Sequence, residues 1–310
     1  MIDKRAENCQ YSNWYPLFRD VTPRSCILKA PESFRKYLLA DGIALYGDVN
    51  ESSSEWESDV PPKEKITEMN DAIEEPVLPP GDFHADIEAA IQKMNGEVAP
   101  KLNWSAPVDA TWILPSNSMR CITANDIYLL LKSSDYVNHD LQLDPAQITL
   151  VLREWFDVHP SHEFRCFVKD RKLVGISQRD MNYYEFLEPS KSLVENLCLD
   201  MTAVISRQFP DSSFVFDIYA SKSFDKAWLL DINPWMEKTD SLLFSWDELP
   251  QLGQLTVRFI DKEDRSRTFN TKPHSSSQVP YELVDMPKGA MQEMLEQMKE
   301  QRKQEEQEKS

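Results

Sequence analysis

The stretch LLDINP, Leu229 to Pro234, ends an apolar run with an acid, an amide and a proline, and its reading decides the fold. Residues two apart on a strand share a face, which puts Leu229, Asp231 and Asn233 on one side and Trp228, Leu230 and Ile232 on the other. Upstream, FVFDIYA from Phe214 to Ala220 is rich in the aromatic and β-branched residues that suit sheets, and it carries a lone acid, Asp217. The intervening SKSFDK is polar enough for a hairpin loop. A hairpin symmetric about Phe224 pairs Ala220 with Trp228 and thereby sets Asp217 opposite Asp231. Like charges directly opposite each other destabilise a sheet, so a cation or a raised pKa is expected there. Asp217, Asp231 and Asn233 converging at a strand end make the small oxygen set that Mg²⁺ takes, with water and phosphate oxygens completing its shell. On this reading, removing Asp231 relieves repulsion and leaves the ligand-free fold intact or slightly more stable. A plainer reading stays open beside it: an Asp at a strand end commonly forms a turn, and Asn-Pro favours one in its own right.

The whole chain bounds what such a site could serve. Its 310 residues suffice for one large domain or two lobes, and a hydrophobic fraction of 41% fits a globular protein. No apolar stretch approaches a bilayer span, and the opening MIDKRAENCQYSNWYP lacks the apolar core of a signal peptide, so a cytoplasmic or nuclear protein is expected. The five cysteines are scattered, without a Cys-x-x-Cys pair, and read as free thiols of a reducing compartment. A net charge of -18 argues against a sequence-independent nucleic-acid binder and favours a partner that is basic where it docks. Glycine is scarce, 7 in 310 residues against a usual share of about 7%. No P-loop or Gly-x-Gly-x-x-Gly is present. Any nucleotide must be held by side chains and a glycine-poor loop.

Along the chain, residues 1–46 read as a segment packing on the core: YSNWYPLF supplies aromatic anchors and PESFRKYLLADG a helix stopped at Gly42. From 47 to 78 ten acids face only Lys63 and Lys65, the composition of a disordered acidic linker. DFHADIEAAIQKMNG has helical periodicity with Gly96 as a C-cap. APKLNWSAPVDATWI reads as strand, loop and strand, and TANDIYLLLK as a helix opened by a Thr123–Asp126 capping box. ITLVLREWF, EFRCFVKD and KLVGISQRD read as three strands, the last two joined by a tight turn at Asp170 and Arg171. A helix from about Ser190 to Phe209 precedes the hairpin, signals weaken beyond Leu249, and a methionine-striped helical tail occupies 281–310.

Together these pieces resemble the nucleotide site of the ATP-grasp fold, an α+β architecture whose two lobes hold ATP between antiparallel sheets. LLDINP is similar to that fold's Glu/Asp-x-Asn-Pro ending, KLNWSAP to its phosphate-covering loop, and VLREWFDVHPSHEFRCFV to its strand, adenine hinge and return strand. The longer run KLNWSAPVDATWI, EFRCFVKDRKLVGISQRD and FVFDIY through WLLDINP to TDSLLFSWDEL resembles one family within that fold, the cell division cycle protein 123 family, over most of the chain from Cys9 to about Leu249. The resemblance implies a smaller lobe at 79–137 and a larger one, with the metal site, at 138–280. It implies an ATP- and Mg²⁺-dependent chaperone that acts on the gamma subunit of eukaryotic translation initiation factor 2, without contact to membrane or nucleic acid. The alternative within the fold is a ligase working through an acyl-phosphate, for which the sequence shows no carboxylate-substrate pocket. Asp231, where many such ligases carry Glu, shortens the reach by one methylene and disfavours bridging of two metals. A kinase reading fails for want of His-Arg-Asp and Asp-Phe-Gly motifs.

Carried onto this sequence, the resemblance gives Asp217, Asp231 and Asn233 to the metal. It gives Lys101 and Lys132 to phosphates, which ammonium groups bind as point charges. Backbone groups of Glu154 and Phe156 are expected at the adenine edge, Trp155 along the cleft, and Asp157 at the ribose. Arg165 and Arg179 are expected to reach phosphates from the larger lobe. His159 and His162 in HPSH imitate metal spacing, but two ligands around a proline read as a loop pair rather than a zinc site.

Overall fold

The computed structural model describes residues 4–47, 76–143 and 148–262. The acidic linker lies largely, and the methionine-striped tail wholly, outside these residues.

A three-stranded sheet joins β1 (Ser25–Lys29), β3 (Thr149–Glu154) and β2 (Val98–Lys101) in the order β1-β3-β2, both pairs antiparallel. One of its faces is covered by helices α3 (Glu32–Leu39), α4 (Gly81–Lys93), α5 (Ala124–Lys132) and α6 (Asp135–Leu143). Leu150 and Leu152 point into that core, among Phe34, Ile87, Ile127 and Tyr128, while the alternate residue Val151 joins a second core. Because the sheet takes β1 from the N-terminal segment and β3 from beyond residue 138, the expected 137/138 boundary does not divide the sheets.

The second sheet runs β7 (Ala227–Pro234), β6 (Phe214–Ala220), β4 (Glu163–Lys169), β5 (Lys172–Gln178) and β8 (Thr256–Arg258), antiparallel except for the β5–β8 edge. One face packs on α7 (Lys191–Gln208) through Phe164, Cys166, Phe214, Phe216 and Ile218. Alternation therefore sends Glu163, Arg165 and Phe167 of β4, with Val215, Asp217 and Tyr219 of β6, to the opposite face. The short helices α1 (Lys4–Asn8) and α2 (Tyr11–Trp14) pack beside β7 and bury Tyr11 and Trp14.

Local sequence chemistry explains most boundaries. The Thr123 capping box opens α5, with Asp126 and Thr123 exchanging hydrogen bonds. Asp170 and Arg171, both at positive φ, turn β4 into β5. Two expectations fail. VDATWI is not a strand but a 3₁₀ helix over Val108–Ile113, because buried Asp109 accepts from Ser134 Oγ and the Asp135 amide, anchoring the segment to the start of α6. The face assignment around LLDINP also fails. β6 and β7 pair Ala220 with Ala227 rather than Trp228, and the register shifts between Asp217 and Ile218. Leu230 is the extra residue of this bulge, so Leu229 joins the core with Ile232 rather than the face of Asp231. The bulge offsets the shorter hairpin, and Asp217 does stand opposite Asp231.

Candidate functional site

Where the two sheets meet, charged side chains replace the apolar core. β2 pairs with β3 so that Lys101 lies opposite Val151 and Ala99 opposite Arg153, which puts Lys101 and Arg153 on the face turned away from the α3–α6 core. Both reach β7 of the other sheet: Lys101 Nζ lies 2.9 Å from Asp231 Oδ2, and Arg153 donates to the Leu230 carbonyl at 2.8 Å. Without the bulge at Leu230, that residue and Asp231 would not both be placed to receive them. On β4, Arg165 stands directly opposite Asp217 and holds it bidentately at 2.8 and 2.9 Å, while its remaining terminal nitrogen donates to the Asp240 carbonyl at 2.8 Å. Arg179, one residue past β5, binds Glu163 at 2.8 Å and approaches Asp217 at 3.5 Å.

The seam thus gathers Lys101, Arg153, Arg165 and Arg179 around Asp217, Asp231 and Glu163, and Asp140 also acts on Lys101, so that four cations face four carboxylates in a chain of net charge -18. Burial works against the charges of Asp217 and Lys101. It pushes Asp217 up, but Arg165 and then Arg179 outweigh it and hold the carboxyl below its ordinary range. Burial pulls Lys101 down against the attraction of Asp231. Lys101 and Arg165 have side chains only 4% and 8% exposed, whereas Asp231 retains 25% and Arg179 42%, so the last two offer the most open charges to a ligand. The expected mutual repulsion of the two aspartates is met by side-chain cations, one set to each. Removing Asp231 would strand a buried ammonium, which reverses the sequence-based expectation of an unharmed or stabilised fold.

The other expected residues fall at definite places. Asn233 is half-buried on β7 opposite Val215, two residues beyond Asp231. Glu154 ends β3; its carboxylate takes Arg24 and Asn95, and its amide donates to the Arg24 carbonyl. The Trp155 amide donates to the Glu97 carbonyl. Phe156 packs edge-on against Tyr219 at 5.5 Å and lies 6.3 Å from Trp228, an aromatic corner one step along β6 from Asp217. Asp157 is exposed in the segment that follows. Two expected phosphate contacts are otherwise engaged. Arg165 is spent on Asp217 and Asp240, because an arginine buried beside a carboxylate satisfies its fork there first. Lys132 is not brought into the cluster: its ammonium donates to the Tyr37 and Ala40 carbonyls at 2.6 and 2.8 Å and lies over the Tyr37 ring, closing the C-terminal end of α3.

Three contributors escape the sequence reading. Arg153 sits inside the quoted REWF strand, and only the pairing of β3 with β2 reveals that it faces Lys101's side. Asp140 of α6 accepts from the Ser105 amide and hydroxyl at 2.8 and 3.0 Å and so fixes the Leu102–Pro107 loop that follows Lys101. Tyr11 lies beneath Lys101 and Arg153. Among the described residues no group of three or more His, Cys, Asp or Glu assembles for a metal. Asp217, Asp231 and Asn233 offer two carboxylates and one amide, a hard-oxygen set that suits Mg²⁺ sharing its shell with water and phosphate. His159 and His162 are loop and aromatic-cluster residues, His162 stacking on Phe224 at 4.9 Å and His159 bonding Ser161.

A family model described as D123 matches residues 14–287. The chain is 44% identical over 306 residues to the cell division cycle protein 123 of Yarrowia lipolytica, an alignment covering 93% of this chain and 81% of that protein. It is 39% identical over 304 residues to the translation initiation factor eIF2 assembly protein of Schizosaccharomyces pombe, covering 91% of each. Among solved structures, Cdc123 from Schizosaccharomyces pombe aligns with a TM-score of 0.68 at 38% identity, covering 84% of this chain and 99% of that one. The fold is α+β, with two sheets built almost wholly of antiparallel pairs and shared with that Cdc123 structure. No helix among the described residues is long and apolar enough to cross a membrane.

Proposed function

This chain belongs to the D123 family, and from that premise we propose that it binds ATP with Mg²⁺ at the seam and assists assembly of translation initiation factor eIF2, docking on the gamma subunit in the cytoplasm. The observation that carries the nucleotide half is the seam itself, where Lys101 of β2 meets Asp231 of β7, Arg153 of β3 reaches the Leu230 carbonyl, and Arg165 and Arg179 hold Asp217 of β6 in a partly open cluster of cations and carboxylates. The assembly half is supported by relatives that carry the name eIF2 assembly protein.

In this reading Asp217, Asp231 and Asn233 hold the metal. Lys101, Arg153 and the more exposed Arg179 face the phosphates, while Arg165 fixes the Asp217 carboxylate. Glu154 and Phe156 present backbone groups to the adenine, Trp155 lines the cleft and Asp157 serves the ribose. Bound ATP·Mg²⁺ supplies a polyanion and a divalent charge that replace the contacts now made between the protein's own acids and bases. Lys101 would hold phosphate in place of Asp231 at little change in its desolvation, because one anionic partner would substitute for another. The two sheets stay bridged whether ligand or side chains do the bridging. A rigid, charge-matched surface for a protein partner follows from that bridging, and no bond in the partner need be made or broken.

Binding of purified eIF2 gamma subunit, followed by fluorescence anisotropy with ATP·Mg²⁺ and with ATP plus EDTA, tests the reading. Tighter binding with ATP·Mg²⁺ and unchanged nucleotide at the end of the reaction is expected. Consumption of ATP to form a covalent product would instead establish the ligase alternative, and absence of any gamma-subunit binding would refute the docking claim.

A further inference from the structure

We propose that Tyr11 is a positioning residue of the nucleotide site, and that through it the segment of residues 4–21 forms one wall of that site; the inference rests on the ATP reading above. Tyr11 is fully buried. Its ring face lies 4.8 Å from Lys101 Nζ and 5.4 Å from the Arg153 guanidinium carbon, so one ring serves two cations from adjacent strands. An ammonium removed from water needs negative charge on every side it turns toward. Asp231 supplies it from β7, and the ring quadrupole supplies it from below.

The ring is fixed by bonds that lead back to the same elements. Tyr11 and Ser25 share a hydroxyl hydrogen bond of 2.8 Å, and Ser25 is the β1 residue paired with Arg153. The Tyr11 amide donates to the Asn103 carbonyl at 3.1 Å, and the Ser12 amide to Asn103 Oδ1 at 3.1 Å, gripping the loop that leaves Lys101. Tyr15 stacks on the Tyr11 ring at 5.3 Å, and Trp14 makes an edge-type contact with it at 4.5 Å. A tyrosine needed only to fill space would not require contacts to both cations, to the strand beneath one of them and to the loop after the other. The arrangement pre-orders two phosphate-facing groups before any ligand arrives, and pre-order of this kind is read out as affinity.

The experiment titrates ATP with Mg²⁺ into the full chain and four variants, with unfolding measured in parallel. Tyr11→Phe keeps the ring and is expected within threefold of wild type. Tyr11→Leu and Tyr11→Met remove the ring and are expected to bind roughly tenfold more weakly, the size of two partly desolvated cation–π contacts. Two ring-less variants are used so that a folding failure in one leaves the other to report. Phe34→Leu, in the separate helix-covered core, controls for lost stability and is expected to leave affinity unchanged. Equal weakening in Tyr11→Phe and the ring-less variants, wild-type affinity in the ring-less variants, or the same loss in Phe34→Leu would overturn the inference while the ATP reading stands. Failure of the wild type to bind would overturn both.

Discussion

Replacing Asp231 with Ala should destabilise the ligand-free protein, and the size of the effect can be worked from the seam. Lys101 has a side chain 4% exposed, and among the described residues its one carboxylate contact within hydrogen-bond distance is Asp231 at 2.9 Å. Removing one partner of a buried ion pair costs about 3–5 kcal/mol. Asp231 itself keeps 25% exposure, and Asp140 and the Tyr11 ring still act on the lysine, which places the cost at the lower end. Relief of the facing Asp217 carboxylate returns roughly 0.2–1 kcal/mol. The net is a loss of about 2–3 kcal/mol. It is bounded above by the cost of neutralising an ordinary lysine at pH 7, about 4.6 kcal/mol at 1.36 kcal/mol per pKa unit. At about 2.1 cal/mol/K of unfolding entropy per residue, that corresponds in a 310-residue chain to a fall in Tm of roughly 3–5 °C. Equilibrium urea unfolding of Asp231→Ala, Lys101→Met and the double variant closes a cycle whose coupling should exceed about 1 kcal/mol, with the double variant more stable than Asp231→Ala alone. An Asp231→Ala protein as stable as wild type, or an additive cycle, would refute the claim that the seam is held by mutual neutralisation.

Lys132→Met should lower stability by about 1–2 kcal/mol through the freed carbonyls at the end of α3 while leaving ATP affinity unchanged, as unfolding and titration calorimetry would show. Arg258→Ala should cost about 1 kcal/mol, since Arg258 binds Glu248 twice at 2.7 Å and covers the Phe244 ring, yet both partners are about a third exposed. The same pair carries a pH dependence. The hydrogen bonds from Arg258 hold the Glu248 carboxyl below its usual range, so its contribution is complete above about pH 4.3 and fades as the pH falls through the lowered folded value. The stability gap between wild type and Arg258→Ala should therefore narrow on the acid side, as parallel melts from pH 7 to pH 3 would record.

What the sequence revealed and what it concealed divide along local and non-local physics. The capping box at Thr123, the turn at Asp170 and Arg171, and the strands around Asp217 and Asp231 are written in adjacent residues, and the structure has them. Asp217 and Asp231 do face each other, but for a reason that alternation does not contain. Period-two counting cannot see the bulge at Leu230, which restores the pairing that the shorter hairpin had moved and turns Leu229 into the core. VDATWI has the composition of a strand, and only the distant Ser134 and Asp135 make it a 3₁₀ helix. β1 and α6 carried no recognised signal. Lys132 and Lys101 look alike as basic residues near the same motif, and their fates part because one reaches the end of α3 and the other reaches β7. Arg153 and Tyr11 could be found only through strand pairing and through the return of the N-terminal segment to β7.

The most direct test of the account is isothermal titration of ATP into the wild-type protein in millimolar Mg²⁺ and again in EDTA, beside Asp217→Asn. The seam reading predicts saturable, near-stoichiometric binding to the wild type that weakens sharply in EDTA and in Asp217→Asn. It also predicts a rise in stability of about 2.7 kcal/mol at a hundredfold excess of ligand over Kd. Absence of binding by the wild type, or binding of equal strength in all three conditions, would contradict the assignment of the nucleotide and metal to this seam.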